Sequence, residues 1–343
     1  MLLIGLLIIA VGAFCQSSCY VPINKIKDWS WESYWIVQGL FAWLILPFLG
    51  ALLAVPEGHT LCELFTPDQS FNVWMTILFG ALWGVGGLTF GLSMRYLGVA
   101  LGQSIALGTC AGLGTILGPV LLNVFFPEND PLSQLTLSVI LGVVVTLVGI
   151  AIIGVAGSMK AASLSEEEKK AAVKDFNFPK GITIALLAGF MSGCFNVGLE
   201  FGKGINFGSL TPDIYKTLPA TFLVTLGGFV SNAVYCFYQN SKNHTWGDYR
   251  KGGVMLNNVV FCLLAGALWY SQFFGLALGK GFLTDSPTLM TLSFCILMAL
   301  NVVFSNVWGI ILKEWKGCSP RTITVLVVGI IVLVISCFLP QLV

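Results

Sequence analysis

The chain has 343 residues, of which 56% are hydrophobic and only 10% are charged, and its formal net charge is +1. A soluble domain usually carries about a quarter of its residues as Asp, Glu, Lys or Arg. The composition therefore argues against a soluble enzyme and a disordered protein, and the small net charge argues against a nucleic-acid binder. The sequence predicts an integral membrane protein.

All of the charged residues fall between ten windows that contain no Asp, Glu, Lys or Arg. These windows are 1–24, 33–56, 69–94, 96–127, 131–159, 181–199, 217–241, 252–279, 286–312 and 322–343. About 20 apolar residues in a helix cross a hydrocarbon core of about 30 Å, and every window is of about that length or longer. Barrel strands would be shorter and would alternate in polarity. We therefore predict an all-α protein with ten transmembrane helices.

The first window begins with an apolar run like that of an export signal, but the first basic residue of the chain, Lys25, comes after this window. A cleavable signal normally opens with a positive segment, so we interpret 1–24 as helix 1. Among the nine gaps that follow, the odd ones hold 14 Lys and Arg residues and the even ones hold 3. This bias predicts that the odd gaps are cytoplasmic and that both termini lie on the other side of the membrane.

The longest linker, 157–180, contains five Lys and four acids and separates a first half, residues 1–156, from a second half, residues 181–343, with five predicted helices each. The tetrapeptide Gly-Ala-Leu-Trp at 80–83, in the third window, recurs at 266–269 in the eighth. Because five is odd, the second half enters the membrane in the opposite sense. We predict a cytoplasmic linker between two inverted five-helix repeats, which is a transporter architecture with its substrate site near the midplane.

Amide and aromatic side chains recur inside the windows. Amides exchange hydrogen bonds with hydroxyl groups and aromatic faces cover C–H surfaces, which is the chemistry that binds a sugar. For a single Asn or Gln the alternative is an interhelical hydrogen bond. The run from Trp269 to Gln272 favours a ligand site. We predict a central sugar site formed by Tyr20, Trp83, Gln103, Asn196, Asn258, Trp269, Tyr270 and Gln272.

The windows contain no acids, and the two nearest to a helix interior, Glu32 and Glu200, flank the second and sixth windows. Concentrating a neutral solute with protons needs a titratable group that is linked to solute binding. Glu32 opens helix 2 and also suits the helix dipole, whereas Glu200, near the end of helix 6, can pair with Lys203. A loop acid such as Asp68 is the third alternative. The chain has no nucleotide-binding, hydrolase or metalloprotease motif and no CxxC, so we expect no enzymatic activity, cofactor or metal, and an ion gradient as the energy source.

Five runs of residues resemble the bacterial L-rhamnose–proton symporter family, which belongs to the drug/metabolite transporter superfamily. They are Lys25–Glu32, Phe79–Gly84, Gly91–Gly98, Trp269–Phe274 and Leu312–Trp315. The resemblance extends from helix 1 to helix 10. It implies two inverted five-helix repeats in the bacterial inner membrane and uptake of L-rhamnose, or of L-lyxose, with a proton. The Lys and Arg distribution then predicts periplasmic termini, and we interpret the protein as a symporter that works by alternating access.

The family pattern matches Glu32 but has no acid at the position of Glu200, so the resemblance favours Glu32 as the proton carrier. The alternative function is a permease or exporter for another small metabolite, because this architecture carries many substrates. An intramembrane enzyme would need a catalytic pair at one depth, and the sequence shows none.

Overall fold

The computed structural model describes residues 1–97, 99–163, 178–313 and 315–339, and for some of them, including Gln103, it describes only the backbone. Ten helices in these residues are long and apolar enough to cross a membrane, which confirms the predicted all-helical, ten-span fold. In chain order, α1 to α10 are Leu2–Ile23, Trp31–Leu52, Ser70–Leu97, Val99–Phe125, Leu137–Ala162, Phe178–Phe201, Leu218–Lys242, Gly252–Gly281, Pro287–Ile311 and Pro320–Phe338.

The predicted linker 157–180 is partly helical, because α5 continues to Ala162 and α6 begins at Phe178. Residues 164–177, on which the rest of the linker prediction falls, lie outside the described residues. The division of the chain at this linker stays a prediction.

Local sequence sets several helix starts. The hydroxyls of Thr136, Ser286 and Ser319 accept the backbone N–H three residues on, which satisfies a donor that the helix itself leaves unpaired. Proline is the first residue of both α9 and α10, where its missing N–H is not needed.

Large apolar side chains are exposed along one stripe of α1, at Leu3, Leu7, Val11 and Phe14. The three- and four-residue spacing places them on a single face of the helix. An apolar stripe open to the surroundings suits contact with lipid rather than with water, so these positions agree with a membrane-spanning α1.

The helices group into two compact units by their contacts. Unit 1 consists of Met1–Gly84 and Gly198–Asp285, and unit 2 consists of Val85–Val197 and Ser286–Val343. Each unit therefore contains helices from both sides of the 157–180 linker, and α3 and α6 each contribute to both units.

Glycines let helices of unit 1 approach to backbone contact. Gly80 of α3 lies against the carbonyl group of Val224 in α7, where an added Cβ would overlap the backbone. Gly266 of α8 lies against α2, where an added Cβ would be 3.0 Å from the carbonyl oxygen of Gln38. Since lipid removes the hydrophobic drive between helices, such close van der Waals contact is what holds them together.

Unit 2 combines a glycine contact with polar bonds. A Cβ on Gly193 of α6 would be 3.0 Å from the backbone nitrogen of Gly114 in α4. Between α5 and α10 the hydroxyl of Thr146 donates to that of Ser336 over 3.0 Å. All ten cysteines of the chain are free thiols.

The glycine contacts can be tested with two positions of α3. Gly80→Ala would force α3 away from the Val224 backbone, and overpacking of this kind costs ~1–3 kcal/mol. Gly87→Ala is the matched control, because nothing lies within 4 Å of the added methyl group. We expect thermal unfolding in detergent to shift down for Gly80→Ala and to stay level or rise for Gly87→Ala. Equal melting temperatures would show that the α3–α7 contact is not tight.

Candidate functional site

Helix α2 is irregular at its centre. Residues Leu40–Ile45 form a π-helical turn, in which the Leu46 N–H bonds to the carbonyl of Phe41, five residues back. The cause lies at Pro47, because proline has no N–H to offer to the Trp43 carbonyl and its ring crowds that position. Such turns are rare and are frequently found at functional sites.

Three indole rings meet at this turn, and we call Trp43, Trp83 and Trp269 the tryptophan cluster. The ring centroid of Trp43 is 6.2 Å from that of Trp83 and 5.7 Å from that of Trp269, both edge to face. Trp83 and Trp269 are 5.6 Å apart. The rings come from the middle of α2, α3 and α8, and Trp43 is buried while the other two are half-buried.

Polar groups on the helices that carry the tryptophan cluster differ in whether they have hydrogen-bond partners. The indole nitrogen of Trp35 donates to Asn232 over 2.9 Å, and the amide of Asn232 in turn donates to backbone carbonyls of α3 and α7. In contrast, the indole nitrogen of Trp43, the amide oxygen of Gln38 and the hydroxyl of Tyr270 are buried without a hydrogen-bond partner in the described part of the chain. A buried polar atom without a partner costs ~1–3 kcal/mol, so each such atom needs an explanation.

The structure brings several of the predicted sugar-site residues together in unit 1. Trp83 and Trp269 belong to the tryptophan cluster. Tyr270 and Gln272 are buried on α8, one and three residues after Trp269. Tyr20 lies near the end of α1 with 59% of its surface exposed.

Asn258, also predicted for the sugar site, lies near the start of α8. Its amide accepts a bond from the backbone N–H of Lys27 over 3.0 Å and donates to the Lys27 carbonyl over 2.7 Å. These bonds hold the α1–α2 loop, and they would have to break before the amide could contact a sugar.

The remaining predicted sugar-site residues belong to unit 2. Asn196 of α6 is buried and donates to the Gly114 carbonyl over 2.8 Å, while its amide oxygen has no partner among the described residues. The side chain of Gln103 lies outside the described part of the structure. For both residues a sugar-binding role stays a prediction.

Glu32 is buried in the first turn of α2, where a carboxylate suits the helix dipole. One of its oxygens accepts bonds from Asn243 over 3.0 Å and from Thr245 over 2.9 Å. The Thr245 hydroxyl oxygen is also 2.9 Å from the amide oxygen of Asn240, which accepts a bond from Ser33. Glu32 is therefore part of a network that ties α2 to the end of α7 and the loop after it.

A second carboxylate, Asp248, anchors the same region. It accepts bonds from the backbone N–H and the hydroxyl of Ser30, over 2.8 and 2.7 Å, and from the Lys251 ammonium over 2.6 Å. Burial by itself raises the pKa of this carboxyl, but the bonds from Lys251 and Ser30 outweigh burial and lower the pKa of Asp248 to about 2. The carboxylate therefore stays ionised near neutral pH.

Glu200 lies at the end of α6, with its side chain 10% exposed and one oxygen 3.6 Å from the Lys203 ammonium. The predicted i,i+3 pair is thus present in the structure. A second cation, Lys280 of α8, is buried and interacts electrostatically with Glu200. Among the described residues, no group of three or more His, Cys, Asp or Glu could hold a metal ion.

Sequence reasoning did not select Gln38, Trp43 or Lys280 for the site. Pro47 was a usable signal, because a proline within a transmembrane window disturbs the helix one turn earlier, at Trp43. For Lys280 the sequence placed a charge in a gap, and only the fold shows that the side chain is buried.

Ten spans with aromatic and amide groups, rather than charges, at the centres of several helices define the class of protein as a multi-pass membrane transporter. Residues 1–342 match the family model described as L-rhamnose-proton symport protein (RhaT), and the chain belongs to this family. It is a transporter family, not an enzyme family, and the chain is a multi-pass protein of the bacterial inner membrane.

Two relatives show the extent of the similarity. The L-rhamnose-proton symporters of Yersinia pestis (strain Pestoides F) and of Yersinia pseudotuberculosis serotype O:1b (strain IP 31758) are each 31% identical to this chain over 343 residues. Each alignment covers 98% of this chain and 96% of the relative.

The Asp248 interactions predict a pH-dependent stability. Asp248→Asn should destabilise the protein by ~1–3 kcal/mol at pH 7, because it weakens three bonds to a buried carboxylate. This difference in the free energy of unfolding should shrink as the pH falls from 3.8, the ordinary pKa of an aspartate, toward about 2, the pKa of Asp248 in the folded protein. Over this range the wild-type carboxyl takes up a proton and loses the same advantage. Thermal unfolding in detergent at several pH values measures both effects.

Asp213→Asn is the matched control, because Asp213 pairs with Lys216 in an exposed i,i+3 arrangement. Exposed pairs contribute ~0–1 kcal/mol, so this variant should melt close to wild type at every pH. A constant deficit for Asp248→Asn down to pH 2 would contradict the lowered pKa.

Proposed function

We propose that this protein takes up L-rhamnose together with a proton across the bacterial inner membrane. The observation that carries the proposal is the family match over residues 1–342, joined by relatives named L-rhamnose-proton symporter that align along nearly their whole length. The uncharged centre of unit 1, with its aromatic rings and amides, suits a neutral polyhydroxylated solute. We include L-lyxose as a second substrate.

Uptake into proteoliposomes tests the proposal. With an acid-outside pH gradient, vesicles that hold the purified protein should concentrate labelled L-rhamnose, and a protonophore should abolish the accumulation. Unlabelled L-lyxose should compete if it is a second substrate. Vesicles without protein measure leakage. Equal uptake with and without the pH gradient would contradict proton coupling.

We further propose that the chain consists of two inverted five-helix repeats, 1–156 and 181–343, which work by alternating access. The two copies of Gly-Ala-Leu-Trp are displaced by 186 residues. The contact between Gly80 and Val224 has a counterpart at the same displacement, between Gly266 and Gln38. In both contacts the third helix of one half packs on the second helix of the other, as a pseudo-twofold relation requires.

The sugar site is proposed to include Trp83, Trp269, Tyr270 and Gln272. What supports this set is that the two tryptophans of the repeated tetrapeptide meet at 5.6 Å, so equivalent residues of the two halves lie side by side. Both rings are half-buried, which leaves part of each ring open for contact with a C–H face of a sugar.

For proton coupling we propose Glu32 as the carrier and Glu200 as the alternative. Both carboxylates are nearly buried, and they lie at the start of α2 and the end of α6. The two donors on Glu32 favour its ionised form, so protonation would loosen its bonds to Asn243 and Thr245. Such loosening could link the proton to movement of α2.

Glu32→Gln imitates the protonated carboxyl. We expect this variant to exchange L-rhamnose across the vesicle membrane but to lose accumulation driven by the pH gradient, because it has no proton to release. Glu200→Gln is the matched variant and should keep accumulation. If the two results are reversed, Glu200 carries the proton, and if both variants accumulate sugar, a loop acid such as Asp68 does.

We propose that the odd gaps face the cytoplasm and that both termini are periplasmic. Contacts within unit 1 support the pairing of the gaps. The first and seventh gaps bond through Ser30 and Asp248, and Thr211 in the sixth gap donates to the carbonyl of Ala54, which lies just before the second gap. The distribution of Lys and Arg then gives the direction.

Reporter fusions test this orientation. A reporter inserted after residue 170 should be active only as a cytoplasmic enzyme, whereas one fused to the C-terminus should be active only in the periplasm. Activity of both on the same side would contradict an odd number of spans in the second half.

A further inference from the structure

We propose that Gln38 and Trp43 of α2 are sugar ligands. The amide oxygen of Gln38 accepts, and the indole N–H of Trp43 donates, hydrogen bonds to hydroxyl groups of the transported sugar beside the open parts of Trp83 and Trp269. This inference rests on the proposed function and adds the residues that recognise the hydroxyl groups.

The first support is burial without partners. Gln38 is 1% exposed and Trp43 is 2% exposed, yet the Gln38 oxygen and the Trp43 nitrogen have no hydrogen-bond partner in the described residues. A fold that needed only packing at these positions would gain by placing apolar side chains there. Sugar hydroxyls would supply one donor and one acceptor and would satisfy both atoms.

The second support is the contrast with neighbouring polar groups of unit 1. The Trp35 nitrogen is bonded to Asn232, although Trp35 and Trp43 are adjacent rings, 5.5 Å apart, on the same helix. Asn240 is fully bonded on both sides of its amide. Other buried indole and amide atoms of unit 1 also lack a partner among the described residues, but they lie in loops or toward helix ends, at Gln16, Trp29, Gln69, Asn72 and Gln239. Gln38 and Trp43 differ from them in lying on α2 at its π-helical turn or just before it.

The third support comes from the repeat. A displacement of 186 residues relates Gln38 to Val224 and Trp43 to Phe229. Val224 occupies the same packing position against Gly80 that Gln38 occupies against Gly266. At the equivalent positions of α7, the apolar side chains of valine and phenylalanine are sufficient for packing. Packing therefore does not require the amide of Gln38 or the indole N–H of Trp43 in α2.

The fourth support is the π-helical turn. Trp43 lies within Leu40–Ile45, and Gln38 precedes the turn by two residues. The Trp43 ring folds back over Gly39, the residue next to Gln38, where a side chain of any size would displace it. The turn and the glycine together place the indole beside the segment that carries the amide.

The repeat itself supplies the test substitutions, Gln38→Val and Trp43→Phe. L-Rhamnose binding is measured by isothermal titration calorimetry on the full-length protein in detergent, and thermal unfolding is measured without sugar. We expect each variant to bind L-rhamnose about 5- to 100-fold more weakly, as one lost hydrogen bond or one unpaired hydroxyl predicts. The melting temperature without sugar should stay level or rise, because each substitution removes a buried unpaired atom.

Two controls separate ligand residues from structural ones. Trp35→Phe should lower the melting temperature, since it leaves the Asn232 oxygen unpaired. Gln239→Val should leave sugar affinity unchanged, because Gln239, whose amide oxygen also lacks a partner among the described residues, lies near the end of α7 and its amide nitrogen bonds to Tyr235. Wild-type affinity in Gln38→Val and Trp43→Phe would overturn the inference, and so would a fall in their melting temperatures as large as that of Trp35→Phe.

The wild-type protein distinguishes this failure from failure of the proposed function. If wild type neither binds nor transports L-rhamnose, the proposed function is wrong. If wild type does both and the two variants bind as tightly, only the assignment of Gln38 and Trp43 is wrong.

Discussion

Backbone contact at two glycines determines the arrangement of unit 1. Gly80 and Gly266 each begin a Gly-Ala-Leu-Trp run, and each lies against a carbonyl group of a helix from the other half of the chain. In lipid, where apolar surface gains nothing by leaving the solvent, this close contact is a main attraction available to helices. Because the glycines fix α3 on α7 and α8 on α2, the tryptophans three residues later meet.

The lipid environment also explains how polar groups are distributed in the protein. A hydrogen-bonding atom in hydrocarbon cannot bond to water, so leaving it without a partner in the protein is costly. The polar network of Ser30, Glu32, Asn240, Thr245 and Asp248 is satisfied and ties together the segments around the α1–α2 and α7–α8 loops. The unsatisfied atoms of Gln38 and Trp43 lie further along α2, around its irregular turn.

Charge and neutrality are also separated along the helices. Glu32 begins α2 and Glu200 lies at the end of α6 with one oxygen 3.6 Å from the Lys203 ammonium, whereas the tryptophan cluster at the helix centres is uncharged. A neutral sugar needs no opposite charge, and a buried charge at the centre would be costly without a partner. A transporter of this kind can therefore take the proton near a helix end and the sugar at the centre.

The sequence by itself determined the ten spans, the class of protein and the neutral chemistry of the centre, because hydropathy and charge report the solvent around each segment directly. The repeated Gly-Ala-Leu-Trp tetrapeptide also predicted that Trp83 and Trp269 occupy equivalent positions in the third and eighth helices. It could not show that the amide of Asn258 is hydrogen-bonded to the backbone of Lys27, 231 residues away, or that Lys280 is buried and interacts electrostatically with Glu200. Only the tertiary structure separated the satisfied polar atoms from Gln38 and Trp43, because whether a buried atom has a partner depends on helices that are distant in sequence and adjacent in space.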